Sequence, residues 1–351
     1  MVATRNGFVG LAVVAVAMGQ LATACGTRAG GAAQTVEGAG EDAGVDAGVA
    51  SPAGDGSPAR PSAGDAATPH AFLRVAQLSP DLPAIDICAA PHGTAGFQGP
   101  LVAQLASADA GADAAAPGLG YAQVSGYVAL SAGQYDLRIV AAGAPDCSAS
   151  LAGTAGDAGS ADAGSVDGGV DAAAGIPDKT HLPPLAPNAY ATLLIAGELW
   201  PTGGERGFTV VTIADDSVLA GGAASLRAVH AMPGAPALDF GLGSSAAQWT
   251  PLFTGVGFAT ASMRAGPSAG AVDPDGYLPI APLSAQAVSA RASSRATGDA
   301  ALANAVTIDP GAIATVFAIG KAGDAAHPPA LLFCTDNAPS GGILSDCGVG
   351  Q

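Results

Sequence analysis

Basic side chains are scarce in this chain. Lys and Arg together number 12 against 29 Asp and Glu, the formal net charge is -17, and the lysines are Lys179 and Lys321 alone. Phosphate backbones repel so acidic a chain, which excludes nucleic acid as a partner. Cys25 has no cluster of basic residues beside it that would attract anionic lipid headgroups.

Aromatic residues and long hydrophobic runs are also few. Aromatics make up 5% of the chain, and alanine supplies much of its 49% hydrophobic content. The apolar run from Phe8 to Met18 is shorter than the roughly 20 residues that a transmembrane helix needs. Arg5 precedes this run and small residues follow it, which is the pattern of a cleaved signal peptide over 1–24.

The leader ends in Leu21-Ala22-Thr23-Ala24-Cys25. These five residues resemble the lipobox of bacterial lipoproteins, which implies diacylglycerol on the Cys25 sulfur, cleavage before Cys25 and acylation of the new amine. The alternative is ordinary secretion, since Ala22 and Ala24 also form an A-x-A site for a general signal peptidase. Lipidation would anchor the protein to the cell envelope, at the outer membrane.

Three segments of low complexity predict disorder. Residues 25–70 read as a tether rich in Gly, Ala, Asp and Pro, and 107–117 and 152–175 read as disordered insertions. The acidic residues of the last segment match neither an EF-hand loop nor a calcium-binding nonapeptide repeat, which favours a solvated acidic loop over a cation site. They are Asp157, Asp162, Asp167 and Asp171. We therefore expect no metal site and no cofactor.

An internal repeat organises the rest of the chain. Residues 73–86 align with 226–239 at a constant offset of 153, and six of the fourteen positions are identical. A second match pairs 187–192 with 310–315. The repeat predicts a first domain over 71–216, a linker over 217–223 and a second domain over 224–351.

Short apolar runs separated by Gly, Pro and Asp predict strands in both copies, and helical periodicity is weak. The pattern favours an all-β fold of two antiparallel β-sandwiches. The predicted strands are Phe72–Leu78, Ala84–Cys88, Tyr121–Leu130, Tyr135–Ala141, Ala189–Leu199, Phe208–Ile213, Leu226–Ala231, Ala237–Leu242, Gln286–Ala292, Ala312–Ile319 and Ala330–Cys334.

The repeated segment resembles the opening signature of the bacterial domain of unknown function 4397. That signature runs Arg, two apolar residues, His, Ala, Ser, Pro, Asp, Ala, Pro, any residue, Val, Asp. The matching positions are Arg74, Ser79, Pro80, Asp81, Pro83, Ile85 and Asp86, and then Arg227, His230, Ala231, Pro233, Ala235, Pro236, Leu238 and Asp239. Gln77 replaces the His in the first copy, and Met232 and Gly234 replace Ser and Asp in the second. The resemblance implies tandem, immunoglobulin-like modules that are secreted or surface-anchored, without an established activity.

The charged residues of the signature predict structural ion pairs. If the Pro-containing turn folds one strand back on the other, Arg74 meets Asp86 and Arg227 meets Asp239, with partly covered bidentate geometry. The functional alternative is a ligand-binding Arg/Asp patch.

Four cysteines remain after Cys25, and an exported chain meets an oxidising compartment. Four cysteines allow three connectivities, and pairing within each copy lets the copies fold separately. We therefore predict disulfides between Cys88 and Cys147 and between Cys334 and Cys347. Metal ligation is disfavoured because no C-x-x-C and no closely spaced histidine pair is present.

Catalytic motifs are missing from the sequence, and we expect no catalytic residue and no enzyme activity. The histidines are isolated beside Pro, Gly or linker, apart from His230 in the signature. Trp200 and Trp249 are candidates for stacking on a sugar ring, or alternatively fill the core.

The composition favours a binding, adhesion or structural module in the envelope, with the membrane, envelope polysaccharide or envelope protein as partners. The alternative is an extracytoplasmic hydrolase acting on envelope or extracellular polymers.

Overall fold

The computed structural model describes residues 69–109, 118–152, 175–201, 204–216, 223–294, 301–337 and 347–349. The signal peptide, Cys25 and almost all of the predicted tether, linker and second insertion lie outside these ranges. The described part of the chain is nearly all β, which confirms the predicted fold class.

Among its described residues, the first copy has eight strands and one helix. In chain order they are β1 (His70–Gln77), β2 (Ile85–Pro91), α1 (Leu101–Asp109), β3 (Gln123–Val124), β4 (Val128–Ser131), β5 (Tyr135–Ala141), β6 (Thr180–His181), β7 (Tyr190–Ala196) and β8 (Thr209–Asp215). One sheet contains β1, β3, β4, β7 and β8, and the other has the order β2-β5-β6.

Ten strands are seen in the part of the second copy that the structure describes. They are β9 (Ala224–His230), β10 (Leu238–Leu242), β11 (Thr250–Val256), β12 (Thr260–Ala261), β13 (Tyr277–Ile280), β14 (Leu283–Ala292), β15 (Leu302–Ile308), β16 (Ile313–Ile319), β17 (Ala330–Thr335) and β18 (Cys347–Val349). A four-stranded sheet has the order β11-β10-β14-β15, and the other sheet joins β9, β12, β13, β16, β17 and β18.

Not every strand pair is antiparallel. The pairing of β1 with β7 is parallel, and so is that of β9 with β16. These pairs occupy equivalent places in the two copies, so the repeat seen in the sequence is also a repeat of topology. The larger sheet of each copy is therefore mixed.

Apolar residues lie in layers. Leu73 and Val75 on β1 join Ile87 and Leu137 from the smaller sheet in the core of the first copy, and the second copy encloses a core of its own. Because side chains alternate along a strand, Arg74 and Ala76 point to the opposite face of β1. That face carries a third buried apolar cluster, which unites the copies through residues such as Leu194 and Phe317.

The structure corrects two boundaries and shows that the two copies share an interface. Strand β1 begins at His70, which was assigned to the tether. Helix α1 extends to Asp109, so 107–109 are helical although they were predicted to be disordered. The two copies also lie within one compact unit, Ala63–Gln351, and share a buried interface.

Candidate functional site

The outer face of the smaller sheet of the first copy brings two histidines and a carboxylate together. Asp136 on β5 lies opposite His181 on β6 and opposite Ala90 on β2. Directly opposed residues of an antiparallel pair share a face. The backbone N–H of His92, just past β2, donates to the carbonyl of Gln134, which holds His92 near the same end of the sheet.

The three side chains converge on one carboxylate oxygen. Nδ1 of His92 lies 2.7 Å and Nδ1 of His181 lies 2.6 Å from Oδ1 of Asp136. The other oxygen, Oδ2, accepts the backbone N–H of Gly93 at 3.2 Å. These hydrogen bonds, from His92 first and then His181, hold the pKa of the Asp136 carboxyl well below its usual range. The side chain of Asp136 is buried at 3% exposure, whereas His92 and His181 are 46% and 62% exposed.

Sequence reasoning missed this cluster. His181 is 45 residues from Asp136, and His92 is 44 residues away on the other side. No local spacing signals such a set, because only the pairing of β5 with both β2 and β6 brings it together. One donor atom from each residue lies within 4.8 Å of the others, and these are atom types that ligate transition metals.

A second cluster of charges is buried between the copies, and it corrects the predicted ion pairs. Nη2 of Arg74 lies 2.7 Å from Oδ1 of Asp336, and its Nε lies 3.5 Å from Oδ2 of Asp215. Nη2 of Arg227 donates to Oδ1 of Asp215 at 2.5 Å. The predicted pairs of Arg74 with Asp86 and of Arg227 with Asp239 are therefore wrong. Strand alternation correctly predicts that each Arg points away from the core of its own copy. The carboxylate nearest to each Arg, however, comes from the other copy.

Each Asp in this cluster is held by a Thr and a Tyr. Thr192 and Tyr127 donate to Oδ2 of Asp215 at 2.6 and 2.8 Å, and Thr315 and Tyr277 donate to Oδ2 of Asp336 at the same distances. Arg74 Nε donates to Thr192, and Arg227 Nε donates to Thr315. The guanidinium groups lie 5.1 Å and 4.4 Å from the ring centroids of Tyr127 and Tyr277. The copies therefore repeat the same four-residue arrangement.

The opposite charges in this cluster stabilise the ionised forms of one another. Burial by itself raises the pKa of Asp215, but the neighbouring Arg74 and Arg227 outweigh burial and lower it. Burial opposes the charge on Arg74 as well, and Asp336 and Asp215 raise its pKa well above the ordinary value. The side chains of Arg74, Arg227, Asp215 and Asp336 are fully buried, so a ligand-binding Arg/Asp patch at these arginines has no route to solvent.

The two aspartates of the signature bind backbone groups. Asp86 accepts the N–H groups of Val102 and Ala103 at 2.8 and 2.9 Å, and so caps the N-terminus of α1. Burial raises the pKa of Asp86 against the effect of these hydrogen bonds. Asp239 accepts the N–H of Gly255 at 2.9 Å and the hydroxyl of Ser293 at 2.6 Å.

Gln77 and His230 make equivalent hydrogen bonds in the turns of the two copies. The Oε1 of Gln77 accepts the N–H of Ser79 at 2.7 Å, and the Nδ1 of His230 accepts the N–H of Met232 at 3.2 Å. The Nε2 of Gln77 donates to the carbonyl of Leu82, and the Nε2 of His230 lies 3.1 Å from the carbonyl of Pro236, further along each turn. His230 is thus a turn-forming residue.

Both disulfides join cysteines of the same copy. Cys88 and Cys147 form one, and Cys334 and Cys347 form the other. The first lies in a small apolar cluster with Val140 on the outer face of the smaller sheet, the face that also carries Asp136. Two disulfides indicate that the protein folds in an oxidising, extracytoplasmic compartment.

The two tryptophans differ in environment. Trp200 is 50% exposed, and Asp81 accepts its backbone N–H at 3.0 Å. The guanidinium of Arg291 lies 3.4 Å from the ring centroid of Trp249, whose Nε1 donates to Ser289. One ring face of Trp249 is therefore covered by the protein itself, and Trp200 is the better candidate for stacking on a ligand.

Comparison with known proteins finds no matching family model and no matching curated protein. Among the helices of the described residues, none has the length and apolar character needed to cross a bilayer.

Proposed function

We propose that this is an exported, lipid-anchored protein of the cell envelope, whose two β-sandwich copies form one rigid, non-catalytic module for binding or for structure. The observation that carries the proposal is the pair of disulfides within an all-β fold, which requires an oxidising compartment. Cys25 after its lipobox-like segment supports the anchor at the outer membrane.

The distribution of buried charge favours a structural use of the signature over a catalytic one. Arg74 and Arg227 are balanced by Asp215 and Asp336 at zero side-chain exposure, so a substrate cannot reach these charges in the folded state. Asp86 caps a helix and His230 supports a turn. Arg74, Arg227, Asp86 and His230 are among the residues that resemble the signature of the domain of unknown function 4397. A structural role for them agrees with a family that has no established activity.

Trp200 supports a binding role on the surface. Its ring is half-exposed, and Asp81 fixes its backbone by accepting the N–H groups of both Leu199 and Trp200 at 3.0 Å. A held, exposed indole suits stacking on a sugar ring, which points to an envelope polysaccharide as the partner.

Intact-mass analysis of the mature protein from its native envelope tests the anchor. We expect acyl chains on a chain that begins at Cys25, and their loss together with release from the membrane fraction in Cys25→Ala. An unacylated mature terminus created by a general signal peptidase would contradict the anchor.

A glycan screen with the delipidated protein tests the binding role. Trp200→Ala should abolish any binding that depends on stacking, while Met263→Ala, at an apolar side chain 68% exposed, should leave it unchanged. A panel of ester and glycoside substrates tests the hydrolase alternative, and turnover there would overturn the non-catalytic assignment.

A further inference from the structure

We infer that His92, Asp136 and His181 form a binding site for a zinc-class divalent transition metal on the outer face of the β2-β5-β6 sheet. This inference goes beyond the proposed envelope role. It rests on the convergence of three ligating side chains from three separate strand segments.

The donor atoms already lie close to a metal geometry. Zinc binds His nitrogen and carboxylate oxygen at about 2.0–2.2 Å, so two ligand atoms of a tetrahedral site lie about 3.3 Å apart. The observed separations from Oδ1 of Asp136 are 2.7 Å to His92 and 2.6 Å to His181. Each ring therefore needs to move about 0.6 Å away from Oδ1, and the donor atoms of the two rings lie within 4.8 Å of each other before any metal ion enters.

The two histidine rings are more exposed than the carboxylate that they must move away from. Both imidazoles are about half-exposed and contact each other edge to face, whereas Asp136 is held on β5 at 3% exposure. The Gly93 N–H on Oδ2 orients the carboxylate from outside the set, as second-shell donors do at metal sites. The exposed side of the two rings leaves further coordination positions to water.

The donor chemistry selects the class of ion. Two imidazole nitrogens and one carboxylate suit Zn²⁺ and its transition-metal neighbours, whereas Ca²⁺ and Mg²⁺ prefer all-oxygen sets. A carboxylate with two neutral imidazoles carries one negative charge, which complements a divalent cation. Each imidazole would bind through a deprotonated Nδ1, with its ring proton on Nε2.

The His–Asp pair at His327 and Asp324 provides a matched control. Nδ1 of His327 lies 3.0 Å from Oδ2 of Asp324, which reproduces one arm of the cluster. The set of three donors at Asp136 is the one metal-ligand group found among the described residues. A lone His–Asp hydrogen bond is expected to bind metal far more weakly.

The test is a titration of Zn²⁺ into the full mature chain, without a polyhistidine tag and after treatment with a chelator. We expect one ion per chain at micromolar or tighter affinity, a rise in Tm on binding, and no competition from a large excess of Ca²⁺. His92→Ala and His181→Ala should each weaken binding at least tenfold, while His327→Ala should not. Co²⁺ in place of Zn²⁺ should give the visible absorption of a four-coordinate site.

A loss of folding in these variants can be distinguished from a loss of metal binding. His92 and His181 are exposed, and a circular dichroism melt in the absence of metal checks each variant. The inference is overturned if the chain binds no Zn²⁺, if His92→Ala and His181→Ala bind like the unmodified chain, or if His327→Ala loses as much affinity as they do.

Discussion

Arg74 of the first copy forms its shortest ion pair, at 2.7 Å, with Asp336 of the second copy, and Arg227 of the second copy pairs with Asp215 of the first. Such a reciprocal exchange is the contact pattern of a two-fold interface. Glu198 and Lys321, which follow the equivalent Gly197 and Gly320, also face each other at 2.8 Å. The two copies are therefore docked like the halves of a symmetric dimer, and their stabilities are coupled.

A double-mutant cycle tests this docking. Arg74→Met should cost about 3–5 kcal/mol in the free energy of unfolding, because it leaves the buried Asp336 carboxylate without the guanidinium that it pairs with. Its effect should couple to that of Asp336→Asn by about 0.5–3 kcal/mol and add to that of Asp86→Asn within about 0.5 kcal/mol. Urea denaturation with the disulfides intact measures all three. Coupling to Asp86 in place of Asp336 would restore the pairing predicted from sequence.

Acid should weaken the interface through Asp215. The pKa of Asp215 in the folded state is lowered from its ordinary value of 3.8. Its charged form therefore stabilises the fold above about pH 4, and this contribution is lost as pH falls through that value toward the folded pKa. Asp215→Asn should lower stability at neutral pH and flatten the acid limb of the stability curve.

The control for this pH dependence is Asp178→Asn. The Asp178 side chain is 54% exposed and lies 3.4 Å from Arg138. Exposed ion pairs contribute little to stability, so this variant should keep the steep acid limb. Equal flattening in the two variants would assign the acid loss to charges outside the interface.

The two disulfides should differ in their contribution. The Cys88–Cys147 bond closes a separation of 59 residues and the Cys334–Cys347 bond one of 13. Chain entropy gives about 4 kcal/mol for the longer loop and about 3 kcal/mol for the shorter. Replacing each pair by alanine and measuring the free energy of unfolding in urea should show the larger loss for Cys88 and Cys147. The reverse order would mean that native packing, and not loop closure, dominates.

Two nearby glycines allow the stability cost of a left-handed backbone conformation to be distinguished from the cost of a steric clash. Gly320 has φ +89° and a Cβ there would lie 2.2 Å from the carbonyl oxygen of Pro328, whereas Gly323 has φ +83° with open space around it. Gly323→Ala should cost about 1–2 kcal/mol, the penalty for a left-handed residue. Gly320→Ala should cost distinctly more, because β16 must separate from the segment that holds Pro328. Thermal melts of the two variants give the comparison.

Much of the fold could be predicted from local sequence. Alternating apolar residues located β5 over Tyr135–Ala141 to the residue, and most other predicted strands lie within a few residues of the observed ones. Strands β6, β11, β12, β13, β15 and β18 were not predicted. The two longest of these, β11 and β15, mix three large apolar residues each with small and polar ones. Helix α1 was missed because the carboxylate that caps it, Asp86, lies on β2, 16 residues before Val102, and not directly before the helix.

By itself the sequence determined the all-β class, and it predicted the two-copy repeat and the two cysteine pairings, since strand period, internal repetition and the place of each cysteine within a copy are properties of the chain alone. Only the tertiary structure decided which carboxylates meet Arg74 and Arg227, and that His92 and His181 meet at Asp136. An alternating pattern tells which face of a strand a side chain occupies. What lies opposite that face depends on how sheets dock and strands pair across long separations, which local spacing does not encode.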